Sequence, residues 1–129
     1  MNIGKLPTLK IVRGSQKLVS YRFDYTDVND ETHHLDLSLY DDIRIDVRRS
    51  ENPYGPVIFQ LSLGDGLSIT DYPETTDKSV LNIHFESKKT DNFEADGDYY
   101  FDIFVITGEN GVHIAKGKIR VEFNKTEMP

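Results

Sequence analysis

The side chains of this sequence best able to do chemistry are its acids and histidines. Asp24, Asp27, Asn29, Asp30 and Glu31 crowd one short stretch, and hard cations such as calcium want clustered oxygens. A calcium loop starting at Asp27 fails its register, however. Thr32 stands at the position that needs glycine, and Ser38 at the one that needs glutamate. The stretch reads as a solvated loop. His33-His34 invites a zinc reading, but neighbours on a strand point to opposite faces and rarely share one ion. His84 and His113 fall on separate expected strands and read as surface or rim residues. Asp41-Asp42 could do acid–base work, yet the pair lies between two strands beside Tyr40, where a turn suffices. Ser15, Ser20, Ser38, Ser50, Ser62, Ser68, Ser79 and Ser87 all lack the G-x-S-x-G context of an activated serine. No G-x-G-x-x-G, P-loop or H-E-x-x-H pattern occurs, and Gly64-Asp65-Gly66 is too short and too acidic to cradle phosphate. The absence of cysteine removes thiol nucleophiles and thiolate metal sites. The expectation is therefore no catalytic residue, no metal and no cofactor: a protein that is not an enzyme.

The elements that must position these residues follow a period of two, the mark of half-buried strands. Val19, Tyr21, Phe23 and Tyr25 alternate with polar residues, as do Ile43, Ile45 and Val47. Val57, Phe59, Leu61 and Leu63 form a third set, Leu81, Ile83 and Phe85 a fourth, and Ile119, Val121 and Phe123 a fifth. Antiparallel sheets with one wet face produce this pattern. Strands are expected near 8–13, 17–25, 35–39, 43–49, 57–63, 67–70, 80–86, 98–107 and 112–123, and no window is convincingly helical. Gly64-Asp65-Gly66 and Glu109-Asn110-Gly111 supply hairpin turns. Asn52-Pro53-Tyr54-Gly55-Pro56 is a loop, because its prolines remove ladder donors. Many short strands with frequent turns mean a sandwich or barrel, and the long strands at the C-terminal end favour an all-β, immunoglobulin-like antiparallel sandwich. Its expected core includes Tyr21, Phe23, Ile45, Val47, Phe59, Leu61, Ile83, Phe101, Ile103, Ile119 and Val121. Gly97, between two aspartates and ahead of a dense apolar run, is expected at positive φ.

With 129 residues the chain fits a single domain, 1–129, with a core of its own. A net charge of −7 argues against nucleic acid and against anionic lipid as partners, and no apolar run is long enough to span a bilayer. MNIGKLPTLK carries no apolar signal core, which suits synthesis in a cytoplasm without a signal peptide. A protein partner comes first among the remaining possibilities.

Two segments resemble a known family. His34-Leu35-Asp36-Leu37-Ser38-Leu39-Tyr40-Asp41-Asp42-Ile43-Arg44-Ile45-Asp46-Val47-Arg48 is similar to a D-L-T-G-Y run leading into an alternating, arginine-terminated strand in small structural proteins of tailed-phage virions. These occupy baseplate, tail-appendage and head-fibre positions, and the N-terminal domain of the baseplate upper protein is one example. Thr90 followed by Ala95-Asp96-Gly97-Asp98-Tyr99-Tyr100-Phe101-Asp102-Ile103 resembles their T-x-x-L-x-x-G-x-Y segment, and Gly117-Lys118-Ile119-Arg120-Val121 their closing strand. Leu39 stands in place of the family's glycine, one extra residue precedes Ile43, and Phe93 replaces leucine. The resemblance spans about residues 10–126. It implies an immunoglobulin-like, non-enzymatic virion or prophage protein, oligomeric or attached to a larger particle, with no catalytic residue to carry over.

The expected function is thus a structural or adaptor component of a phage particle, located in the virion, with other virion proteins or further copies of itself as partners. The other reading is a carbohydrate-binding or adhesion module for a host-surface glycan, with Tyr40, Tyr54 and Tyr72 as stacking platforms. If Tyr99, Phe101, Ile103 and Val105 face the core, Tyr100, Phe104 and Ile106 face the other way. Soluble monomers avoid such apolar patches, so either a loop (71–79 or 26–34) or another subunit must cover them. Tyr100, Phe104, Ile106, Arg48 and Arg49 are the candidate interface residues.

Overall fold

The computed structural model describes residues 4–52, 54–71 and 79–123. Eleven strands account for most of the described chain: β1 (Gly4–Lys5), β2 (Leu9–Val12), β3 (Lys17–Arg22), β4 (Asp24–Thr26), β5 (Thr32–His34), β6 (Asp42–Arg48), β7 (Val57–Leu63), β8 (Gly66–Thr70), β9 (Val80–Phe85), β10 (Gly97–Thr107) and β11 (Asn110–Glu122). A 3₁₀ turn at Leu37–Leu39 precedes β6, and one helical turn, α1 (Ser87–Thr90), follows β9.

The strands form two leaves. In the first, β1 and β2 both pair in parallel with β11, which continues antiparallel through β10 and β6 to β7. In the second, β8, β9 and β3 pair antiparallel. A two-residue bridge, Ser62 to Gly66 and Leu63 to Leu67, carries the chain from one leaf to the other. The inner faces meet there, with the rings of Phe59 on β7 and Phe85 on β9 edge to face at 6.5 Å. This is an immunoglobulin-like antiparallel β-sandwich. Its corner into β10 also carries the tyrosine that marks such folds. The Tyr99 hydroxyl accepts from the Glu94 and Ala95 N–H groups and donates to Ala95 O, each at 3.1 Å.

Alternation fixes which side chains fill the core. Ile43, Ile45 and Val47, then Tyr99, Phe101, Ile103 and Val105, are all buried, while the residues between them face outward. Every expected core residue is buried except Tyr21, which is half-buried because β3 is the last strand of its leaf and has no neighbour on its far side among the described strands. Gly97 has φ +126°, as expected, and the Arg49 guanidinium lies 3.1 Å from where a Cβ would stand.

Four expectations about elements fail locally. The alternation of Leu35, Leu37 and Leu39 imitates a strand, yet the Asp36 carboxylate accepts from both the N–H and the hydroxyl of Ser38 and coils the segment into a 3₁₀ turn. Leu37 is buried there and Leu39 is 73% exposed. The 17–25 strand breaks at Phe23, after which β4 and β5 form a separate hairpin. Gly64-Asp65-Gly66 makes the corner between leaves instead of a hairpin within one. The last hairpin turns on Gly108-Glu109, since Thr107 already pairs with Asn110.

Candidate interaction face

Four strands, β11, β10, β6 and β7, present their outward residues on one face, and register sets the rows. Tyr100 lies between Lys118 and Arg48, and Asp102 between Lys116 and Asp46. Phe104 lies between His113 and Arg44, and Ile106 between Gly111 and Asp42. His113 reaches this face through a bulge. Between Ile103 and Phe104 the pairing slips by one, so Ile114 and Ala115 are both buried and the ring of His113 turns outward.

Asp102 opposite Asp46 sets two like charges side by side, a destabilising arrangement unless bridged. Arg48 bridges them. Its Nη2 donates to Asp46 Oδ2 at 3.3 Å, its Nη1 to Asp102 Oδ2 at 3.4 Å and its Nε to the Gly55 carbonyl at 3.0 Å. Asp46 also accepts from Gln60 Nε2 at 2.9 Å and lies 3.1 Å from Arg44 Nε, close enough for ion pairing but not aligned as a hydrogen bond. His113 Nε2 meets Asp102 Oδ1 at 2.8 Å. Asp46 is 2% exposed and Arg48 9%, and each of the three guanidinium nitrogens of Arg48 is bonded within the chain.

The three apolar members of the face, Tyr100, Phe104 and Ile106, are half-buried. The Arg44 guanidinium sits 4.9 Å over the Phe104 ring and His113 meets its edge at 5.4 Å. Cover for Phe104 thus comes from neighbours on the same sheet. Residues 72–78 of the loop proposed as a lid lie outside the described residues. Arg49 is not brought to this face. It turns to the corner, where its guanidinium stacks 4.5 Å from the Tyr99 ring and donates to the Asp96 carbonyl.

The other chemical candidates are engaged structurally. Asp41 accepts from the Gly108 N–H at 2.6 Å, and Asp42 from those of Ile43 and Leu63, tying the start of β6 to both neighbouring strands. His33 and His34 do point apart, the first to Asp27 at 2.7 Å and the second to Asp24 at 2.6 Å. The hairpin brings the donor atoms of Asp27, Glu31 and His33 within 4.8 Å of one another. That grouping was invisible in the sequence, because it depends on the β4–β5 pairing. Asp27 already accepts from the Asn29 and Glu31 N–H groups. Its carboxyl is held below the usual range, first by the His33 hydrogen bond and then by that of Glu31. His84 bonds Gln16. Of the aromatic platforms, Tyr40 precedes β6 and Tyr54 lies in the loop that follows this seven-residue strand. Tyr54 is 93% exposed, and Tyr72 lies outside the described residues.

No family model and no curated protein matches the chain. Among solved structures it is similar to CopC from Methylosinus trichosporium OB3b, at 14% identity and a TM-score of 0.42 over 94% of this chain and 89% of that one. It is also similar to AggA, the major subunit of aggregative adherence fimbriae type I from Escherichia coli, at 11% identity and a TM-score of 0.34 over 91% of each chain. Likenesses this distant say nothing about activity or partners.

Proposed function

We propose that this chain is a non-enzymatic structural or adaptor component of a bacteriophage or prophage particle, working through protein–protein contacts made by the outer face of β11, β10, β6 and β7. One observation carries the reading: half-buried Tyr100, Phe104 and Ile106 run along a face whose central charges are already paired with one another. Covering the rows of Tyr100, Phe104 and Ile106 removes apolar surface from water while Asp46, Arg48 and Asp102 keep their partners within the chain, and the exposed Lys116 at the margin is left for a partner's acid or for solvent. The partners are other virion proteins or further copies of the chain.

Mass spectrometry and imaging of purified particles from the source test the proposal. The chain is expected in the particles, and Phe104→Asp is expected to reduce its incorporation strongly while its circular dichroism stays as in the wild type. A chain absent from the particles, or a Phe104→Asp variant incorporated normally, overturns it.

A further inference from the structure

Among the described strands, β3 pairs with β9 alone. Its six residues therefore turn one row of backbone donors and acceptors outward, a template for another strand. Edges are usually blunted by proline, a bulge or charged side chains along the strand. β3 has no proline and no register shift against β9, and its charges stand at its two ends, Lys17 and Arg22. Arg22 is engaged by Asp24 and His34. Three further observations mark the edge as incomplete. Val19 and Tyr21 point inward yet are half-buried, whereas Leu81 and Ile83 on adjacent β9 are fully buried. Leu18 on the outer side is 67% exposed. The Tyr21 hydroxyl is shielded from water with no hydrogen-bond partner.

We infer that β3 is a docking edge for a second copy of this chain, β3 pairing antiparallel with its twin about a two-fold axis so that two three-stranded leaves become one continuous sheet. The register follows from the side chains. Inward residues must oppose inward residues, so a two-fold axis falls on a residue and not between two. Centred on Val19, the pairing sets Val19 against its twin, Leu18 against Ser20, and Lys17 against Tyr21. No like charges face each other, and a lysine that no described acid pairs lies across from the ring whose hydroxyl lacks a partner. Centred on Ser20, Leu18 would instead oppose the charged Arg22, and Tyr21 would meet Val19, which has no polar atom to offer its hydroxyl. The two-fold pairing uses one patch twice, as closed dimers do. This deepens the assembly reading by naming one contact between copies, and it rests on that reading for its setting alone.

The chain has no cysteine, so a single one reports the register. In Val19→Cys the paired Cα atoms lie about 4.5–5.5 Å apart, within disulfide reach. In Leu18→Cys they are about 8 Å apart, beyond it. Sedimentation of the wild type is expected to give twice the 14.8 kDa chain mass. Mild oxidation should give roughly tenfold more covalent dimer from Val19→Cys than from Leu18→Cys. The exposed pair Leu18→Lys/Ser20→Lys opposes like charges and should return a folded monomer, while Leu18→Glu/Ser20→Lys restores the dimer. A wild type that stays monomeric at its highest soluble concentration overturns the inference, as does equal cross-linking of the two cysteine variants or a double-lysine variant that still dimerises. A monomer that is nonetheless present in particles overturns this contact and leaves the assembly role standing.

Discussion

Tyr99 satisfies two N–H groups and one carbonyl of the corner that feeds β10, and the Arg49 guanidinium stacks on its ring. Tyr99→Phe keeps the packing against Phe93, whose ring centroid is 4.6 Å away, but strands those backbone groups. Urea unfolding should show a loss of about 1–3 kcal/mol. A second residue-scale test concerns Asp98, opposite Arg120 on β11. Its carboxyl is held below the ordinary value of 3.8, first by the Arg120 hydrogen bond and with help from Lys118. The sign is that of a depressed acid: the contribution is complete above the unfolded value and disappears as pH falls through the lower, folded one. The NMR titration midpoint of Asp98 should lie below 3.8, and Arg120→Ala should move it upward. An unchanged midpoint in that variant would show that Arg120 is not the cause. At this scale the sequence was partly legible. Gly97 announced itself by its neighbours, whereas Arg49 read as an interface residue because nothing in its vicinity shows that Tyr99, fifty positions on, comes to lie beneath it.

Between β6 and β10 the ladder sets Asp46 opposite Asp102, and Arg48 makes that pairing tolerable. Arg48→Met removes the bridge while roughly keeping the volume, so it should cost about 3–5 kcal/mol, the range for breaking a buried ion pair from one side. Adding Asp46→Asn and Asp102→Asn to that variant should recover part of the loss, because the repulsion goes with the charges. Failure to recover would place the cost in packing. Strand identity itself was readable from alternation, since a half-buried strand writes its burial into every second residue. The 35–39 segment shows where that reading stops. Leu35, Leu37 and Leu39 alternate as a strand does, but a short-range Asp36–Ser38 bond competes with the ladder and wins. The β10–β11 bulge was equally hidden, because Ile114 and Ala115 side by side carry no sign of which partner residue they share.

Phe59 and Phe85 bring both leaves onto one core that also holds Phe93, and Phe101 packs under Gly117, where an added Cβ would come within 2.5 Å of its ring. One core predicts one transition. The ring signals of His84 in the second leaf and His113 in the first should vanish at the same urea concentration. Phe101→Ala should move both midpoints together, at a cost of about 3–5 kcal/mol. Separate transitions, or a loss under about 1 kcal/mol, would mean that the leaves are independent or that Phe101 is not a core anchor. By itself the sequence determined most of the strands, most of their inward residues and the class of fold, because alternation and turn residues are local and survive any arrangement of their neighbours. Tertiary structure alone decided that Arg48 is a buried bridge and Arg49 a corner brace, that His113 turns outward beside Phe104, and that β3 has one neighbour among the described strands. Each of those depends on register between strands far apart in sequence, and a shift of one residue exchanges the two faces.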